Sequence, residues 1–239
     1  MKTHPIYLED SYKKEMDAHV LAIVPEGGKR FRVILDETVF YPMGGGQPTD
    51  QGILRADGFT ASVYQVLMKD GEIWHFIEAD TPPQDGMFLH GEINWERRFM
   101  NMRVHSAGHI VDFAIYLLGY SPSPLLPTKG DHGKKPNIVY TGVLGKDIAK
   151  EVEIKANELV SQDKLFQTAF VPLVDLEKDA IYLQPGLPTN KPLRKLTLEG
   201  VGSVADGGTQ VARTKEVGRI LILSIVETAT ETIVSYRLE

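Results

Sequence analysis

The stretch from Trp95 to Gly119 constrains this chain more than any other, because His105 and His109 stand four residues apart within a sequence that reads as a long helix. Ile110, Phe113, Ala114, Leu117 and Leu118 recur at the i, i+3, i+4 rhythm of a buried stripe, so the rest of the chain must cover one face of that helix. Residues four apart project from the same face, and the two imidazoles can converge on one ion or one polar substrate. Asn94 is placed to cap the start, Glu96 adds negative charge to the first turn, and Gly119 offers a left-handed stop. Gly108 departs from the pattern. Glycine inside a helix costs about 1 kcal/mol relative to alanine, so this one predicts either a close approach to the backbone or plain helix packing.

With 239 residues, 42% of them hydrophobic and 24% charged, the chain can build one large domain or two modest ones. No apolar run reaches the roughly 20 residues of a membrane span. Met1 to Asp10 lacks the basic-then-apolar layout of a signal peptide, so the expected location is the cytoplasm, with no membrane partner. The chain contains no cysteine, which excludes disulfides, thiolate catalysis and cysteine-ligated zinc. Any metal must use histidine, carboxylate, carbonyl or water. A net charge of −6 argues against broad adhesion to nucleic acid and leaves room only for local basic patches. Lys129, Lys134 and Lys135 form one candidate and Lys191, Arg194 and Lys195 another, each of which also reads as ordinary solvated surface.

From Tyr7 to about Glu92 the texture is that of short strands and turns. Ala18 to Val24, Phe31 to Leu35, Phe59 to Leu67 and Glu72 to Ile77 are rich in β-branched and aromatic residues, with Asp57-Gly58 and Asp70-Gly71 as turns between them. Such close spacing favours antiparallel hairpins and a small β-barrel or sandwich. The run Thr38 to Gly52 interrupts it with three consecutive glycines followed by Gln47. Gly45 and Gly46 allow positive φ and close backbone approach, Gln47 offers both donor and acceptor atoms, and a plain hairpin tip explains the glycines equally. It is not a phosphate-binding P-loop, because no Gly-Lys-Ser/Thr follows.

The proline and glycine cluster from Thr81 to Gly86 places the domain boundary near residue 92, giving a first domain of 1–92 and a second of 93–239. After the long helix, the prolines and glycines of Ser121 to Lys135 predict a loop. Asn137 to Val143, Phe166 to Val171, Leu193 to Leu198, Arg219 to Val226 and Thr232 to Leu238 read as strands. Ile148, Val152, Ala156, Leu159 and Val160 line a second helix behind Asp147, and a short helix falls within Leu173 to Leu183. The fold class is therefore α+β: an N-terminal small antiparallel barrel followed by an α+β domain with antiparallel sheet and helices. Asp206-Gly207-Gly208-Thr209-Gln210, viewed alone, is a glycine turn carrying an acid.

Four blocks in order resemble the editing domain of alanyl-tRNA synthetase and its AlaX-type trans-editing relatives. They are Phe40-Tyr41-Pro42 leading into Gly44-Gly45-Gly46-Gln47-Pro48 and Asp50; Trp95-Glu96-Arg97-Arg98 with Met102-Arg103; His105 and His109; and Gly207-Gly208-Thr209 with Arg213-Thr214-Lys215-Glu216-Val217-Gly218. The resemblance spans nearly the whole chain and implies the free-standing form. It implies hydrolysis of the ester joining serine or glycine to tRNA(Ala), with zinc held by the two helix histidines plus a cysteine and a histidine spaced C-x-x-x-H. Here Asp206 stands at the cysteine position and Gln210 at the histidine position. It also implies that Thr38, Gly45, Gly46 and Gln47 face the amino acid.

His105, His109 and Asp206 compose a two-histidine, one-carboxylate set, a known way to hold a hydrolytic zinc with an open position for water. Gln210, the fourth candidate ligand, offers only an amide carbonyl, a weak donor for zinc, and orienting a neighbour is the other role open to it. A metal-free pocket in which the two histidines hydrogen-bond Asp206 uses the same residues. Catalysis at His105 and His109 then uses water activated by metal or by imidazole. A zincin-like peptidase is excluded because Ser106 occupies the position of the required glutamate. Editing of another charged tRNA, as at threonyl-tRNA synthetase sites, is a rival that the Gly44 to Gln47 block disfavours. The alternative from another class is a noncatalytic aminoacyl-tRNA binding module with a degenerate metal site, for which the Asp206 and Gln210 replacements speak.

Overall fold

Alternation of apolar and polar residues sets the first half of the molecule, which is described here from a computed structural model covering residues 2–239. Met16, Ala18 and Val20 are buried while their neighbours are exposed, and Leu89, Gly91 and Ile93 repeat the pattern, so each strand turns one face inward. In chain order the strands are β1 (His4–Pro5), β2 (Glu15–Gly27), β3 (Arg30–Leu35), β4 (Glu37–Thr38), β5 (Gly52–Ala56), β6 (Phe59–Lys69), β7 (Glu72–Ala79) and β8 (Phe88–Ile93). Six of them close a barrel in the order β2-β3-β7-β6-β5-β8, every pairing antiparallel, while β1 and β4 pair in parallel. Closure leaves no open sheet edge, and Val33, Leu35, Leu54, Ile77 and Leu89 fill the interior. Asp57-Gly58 and Asp70-Gly71 make the expected turns, both residues of the latter at positive φ. The strands β5 and β8 were not read from the sequence.

Contacts divide the chain into two compact units, Met1–Asn101 and Met102–Glu239. The dividing point lies inside helix α1 (Trp95–Leu117), whose first turns are bound to the barrel. Arg98 and Asp50 are wholly buried and paired, and Arg98 donates to the carbonyls of Ser11 and Val39. Asp50 Oδ2 also accepts from Tyr41 N–H at 2.7 Å. Losing one partner of such a pair leaves a buried charge, at a cost of about 3–5 kcal/mol.

The second unit holds the rest of α1, β9 (Leu126–Asp131), β10 (Asn137–Thr141), α2 (Ala149–Ser161), β11 (Phe166–Val171), α3 (Leu173–Leu176), β12 (Leu193–Leu198), β13 (Gly202–Ala205), β14 (Ile220–Glu227) and β15 (Glu231–Leu238). A four-stranded sheet runs β14-β15-β10-β9 and a three-stranded one β11-β12-β13, both antiparallel. The α+β expectation holds. Asn94 caps α1 through Arg97 N–H at 3.0 Å, and Asp147 receives Ala149 N–H at 2.9 Å at the head of α2.

Three expectations are corrected. Ser121 to Lys135 contains β9, because proline is tolerated where β9 forms the sheet edge and Pro127 sits beside a β-bulge against Tyr140. Leu117 is 45% exposed; the stripe leaves the core one turn early, and Val111 and Ile115 are buried instead. The second basic patch dissolves, since Arg194 is buried and Lys195 Nζ pairs with Asp179 at 2.6 Å. Among the described residues no helix is long and apolar enough to cross a membrane.

Candidate metal centre

Two elements of the second unit build the site. Helix α1 presents His105 and His109 one turn apart with ring centroids 5.0 Å from each other. The turn after β13 presents Asp206, whose Oδ1 accepts from Gly208 N–H at 3.1 Å, while its backbone N–H donates to Arg194 O at 3.0 Å. Oδ1 stands 3.4 Å from His105 Nε2 and 3.5 Å from His109 Nε2.

The two carboxylate oxygens have separate partners. Oδ1 faces the imidazoles, while Oδ2 accepts from Gln210 Nε2 at 2.9 Å and from Arg194 Nη1 at 3.4 Å. Arg194 Nη1 is fixed in turn on Gly208 O at 2.7 Å. The Gln210 carbonyl accepts from Ser106 Oγ at 2.5 Å, and Ser106 Oγ accepts from Val211 N–H at 3.1 Å. Gln210 thus links the helix to the acidic turn, its amide committed at both ends, and Ser106 is the second attachment.

Burial and pairing set the charges. Burial is the main cause that pushes His105 down to about 4, so its ring is neutral near pH 7. Burial also opposes charge on His109, but the nearby carboxylate of Asp206 outweighs it and raises that ring. Burial would raise Asp206, yet His105, His109 and Arg194 together hold it well below the usual carboxylate range.

These donors fit a divalent ion. His105, His109 and Asp206 each offer one ligand atom, all within 4.8 Å of one another, and both ring nitrogens of His109 are buried without a hydrogen bond. The orphaned nitrogens of His109, beside a carboxylate oxygen that also faces His105, are what a two-histidine, one-carboxylate set presents to zinc.

Several residues around the centre were not read from the sequence. Asp112, buried one turn beyond His109, has Oδ2 at 3.8 Å from His109 Nδ1. An acid within an apolar helical run was the available signal. His132 comes from the loop after β9 and stacks on His105 at 4.3 Å, with nothing local in the sequence to announce it. Its Nδ1 lies 2.7 Å from Tyr236 Oη, which donates to Val104 O at 3.1 Å, so the His132 proton sits on Nδ1. Burial, then the neighbouring His105 and His109, lower His132 to about 2. Gly108 is explained here: a Cβ on it would stand 2.6 Å from His132 Cε1 and 2.8 Å from Tyr236 Oη.

The remaining candidates belong to the first unit. Gly44 to Gln47 form a tight turn closed in both directions, Gly44 N–H to Gln47 O at 3.3 Å and Gln47 N–H to Gly44 O at 2.9 Å. Gly45 and Gly46 have φ of 54° and 77°, the two central positions of a type I′ turn, where side chains are disfavoured. Gln47 is fully buried. Thr38 is too, its hydroxyl accepting from Phe40 N–H at 3.0 Å and lying 2.8 Å from His75 Nε2, an arrangement that serves the barrel core.

Comparison with known proteins adds the lineage. The family described as tRNA synthetases class II (A) matches residues 11–97. The alanyl-tRNA editing protein AlaX-M of Saccharolobus solfataricus is 36% identical over 228 residues, 93% of this chain and 93% of that protein. AlaX-L of Pyrococcus horikoshii is 30% identical over 226 residues, covering 91% of this chain and 53% of that protein. Alanine–tRNA ligase of Halobacterium salinarum is 34% identical over 230 residues, 93% of this chain but 24% of the ligase. The chain therefore spans about a quarter of the ligases it matches and nearly all of AlaX-M.

Proposed function

The chain belongs to the alanyl-tRNA editing family, and on that footing we propose that it is an aminoacyl-tRNA deacylase, hydrolysing the ester that joins serine or glycine to tRNA(Ala). The observation that carries this reading is the buried convergence of two imidazoles on one oxygen of Asp206. An aminoacyl ester is already activated, so a positioned water and a place for its proton are the main requirements.

Zinc, held by His105, His109 and Asp206, would supply Lewis acidity toward the ester carbonyl and toward water. The protein's own residues do the rest. In the centre without an ion, the charge of Asp206 raises the affinity of the His109 ring for a proton, which suits it to take one from the attacking water. Asp206 balances the resulting charge through Oδ1 and is kept from rotating by Gln210 and Arg194 on Oδ2. His105, kept neutral by burial, adds a lone pair without adding positive charge.

The test is deacylation of tRNA(Ala) charged with serine, glycine or alanine, with chelator and with added zinc. Serine and glycine are expected to be released while alanine is spared, chelator is expected to slow the reaction, and Asp206→Ala is expected to lose its zinc. Unchanged zinc content in that variant would remove the carboxylate from the ligand set. The ion pair between Asp206 and Arg194 favours a second reading, a binding module with a closed, metal-free centre. No deacylation under any metal condition would establish that reading in place of the first.

A further inference from the structure

We propose that Asp112 is the positioning residue of this centre: its carboxylate accepts a hydrogen bond from Nδ1–H of His109, so that the Nε2 lone pair is presented to the space shared with His105 and Asp206. The inference rests on the reading of those three residues as the working centre, and it concerns which atom of His109 carries the proton.

The first observation is the cost of the residue. Every position from His105 to Ile115 of α1 is buried, and a carboxylate placed there gives up hydration that an apolar side chain does not have. The second is how it is held. Asp112 Oδ1 accepts from Tyr140 Oη at 2.6 Å and Oδ2 from Tyr182 Oη at 3.0 Å. Tyr140 lies on β10 and Tyr182 follows α3, so two separate elements commit buried hydroxyls to fixing one carboxylate. Both hydroxyls donate, leaving the carboxylate as an acceptor toward its third neighbour.

That neighbour is His109. Neither of its ring nitrogens closes a hydrogen bond, although both are buried, and a buried polar atom left in that state is destabilising. A carboxylate oxygen stands near each end of the ring, Asp112 Oδ2 at 3.8 Å from Nδ1 and Asp206 Oδ1 at 3.5 Å from Nε2. A neutral imidazole has one proton, and the two acids compete for it. If it goes to Nε2, the ring is tied to Asp206 and its lone pair points away from the centre. Asp206 Oδ1 is shared between Gly208 N–H and a second imidazole, His105, whereas Asp112 Oδ2 serves the Tyr182 hydroxyl and faces no other ring, and this favours Asp112. The 3.8 Å gap is about 1 Å longer than a hydrogen bond to a carboxylate, the distance the ring has to close. A carboxylate behind a histidine sets its tautomer and strengthens it as a donor.

The experiment is a long-range 1H–15N correlation spectrum of the metal-stripped, 15N-labelled protein, taken up to a pH at which the His109 ring carries one proton and assigned with His109→Gln. It is independent of deacylation, so loss of the enzymatic reading and loss of this one are separable. The wild type is expected to show a protonated Nδ1 and a bare Nε2; a proton on Nε2 would overturn the proposal without recourse to any variant. Asp112→Asn is expected to move the ring toward the other tautomer or to exchange between the two, and to lower zinc affinity roughly ten- to hundredfold by titration of the stripped protein. An unchanged tautomer together with zinc affinity within about twofold of wild type would equally refute it.

Discussion

His75 shows how a single buried ring writes itself into stability. It lies wholly inside the barrel, with Nδ1 at 3.4 Å from Val33 O and Nε2 at 2.8 Å from the Thr38 hydroxyl, and burial lowers it from 6.5 to about 4. Between those values the unfolded chain binds a proton that the folded ring refuses, so stability falls as the pH drops through that window. The slope is about 1.4 kcal/mol per pH unit and the total ~3 kcal/mol. Above pH 6.5 the ring is neutral in both states and contributes no pH dependence. Urea unfolding at pH 7 and pH 5 should show about 2 kcal/mol of this loss, and His75→Gln, which keeps a group able to meet Thr38, should remove that share of it. An identical pH profile in the variant would show that His75 is not the group responsible. At the same scale, the paired histidines could be read from residue type and spacing, and Asp206 only from the resemblance to a known family. Asp112, Arg194 and His132 could not, because their roles depend on partners distant in sequence.

At the scale of elements, α1 carries most of what the sequence disclosed, since its stripe, its cap and its histidine pair are local features. Four of the six barrel strands, β2, β3, β6 and β7, were equally legible from their β-branched and aromatic residues, whereas β5 and β8 were not. β9 was not, because local proline chemistry argues for a loop while pairing at a sheet edge tolerates it. Gly108 also belongs to this scale, its purpose set by β15 and the loop after β9. The His132 ring also lies over Gly130, where a Cβ would meet Nε2 at 2.5 Å, so both glycines leave room for it. Gly108→Ala gains about 1 kcal/mol of helix propensity but introduces overpacking of about 3 kcal/mol, and the larger effect decides the sign. Chemical denaturation should show a net loss of roughly 2 kcal/mol. A stabilised variant would mean that the ring moves aside and that the glycine serves nothing at this contact.

For the whole molecule, a net charge of −6 sets the terms on which tRNA could be bound. Contact with phosphates must be concentrated, and of the two basic clusters in the sequence the one at Lys129, Lys134 and Lys135 remains at the surface. Lys134 and Lys135 stand just beyond His132, so the loop that places a ring against His105 also carries free charge outward. Reversing both lysines to glutamate should weaken tRNA binding and flatten the plot of log affinity against log salt by about 2. An unaltered slope would remove the loop from the footprint. The centre itself contains no sulfur, and a chain without cysteine has no thiol elsewhere. Where a thiolate helps hold a metal, peroxide reaches that atom first and carries it up the ladder to sulfinic acid. Imidazole and carboxylate offer no such foothold, so this donor set would come through oxidative stress chemically intact and with no need of a reductant to restore it.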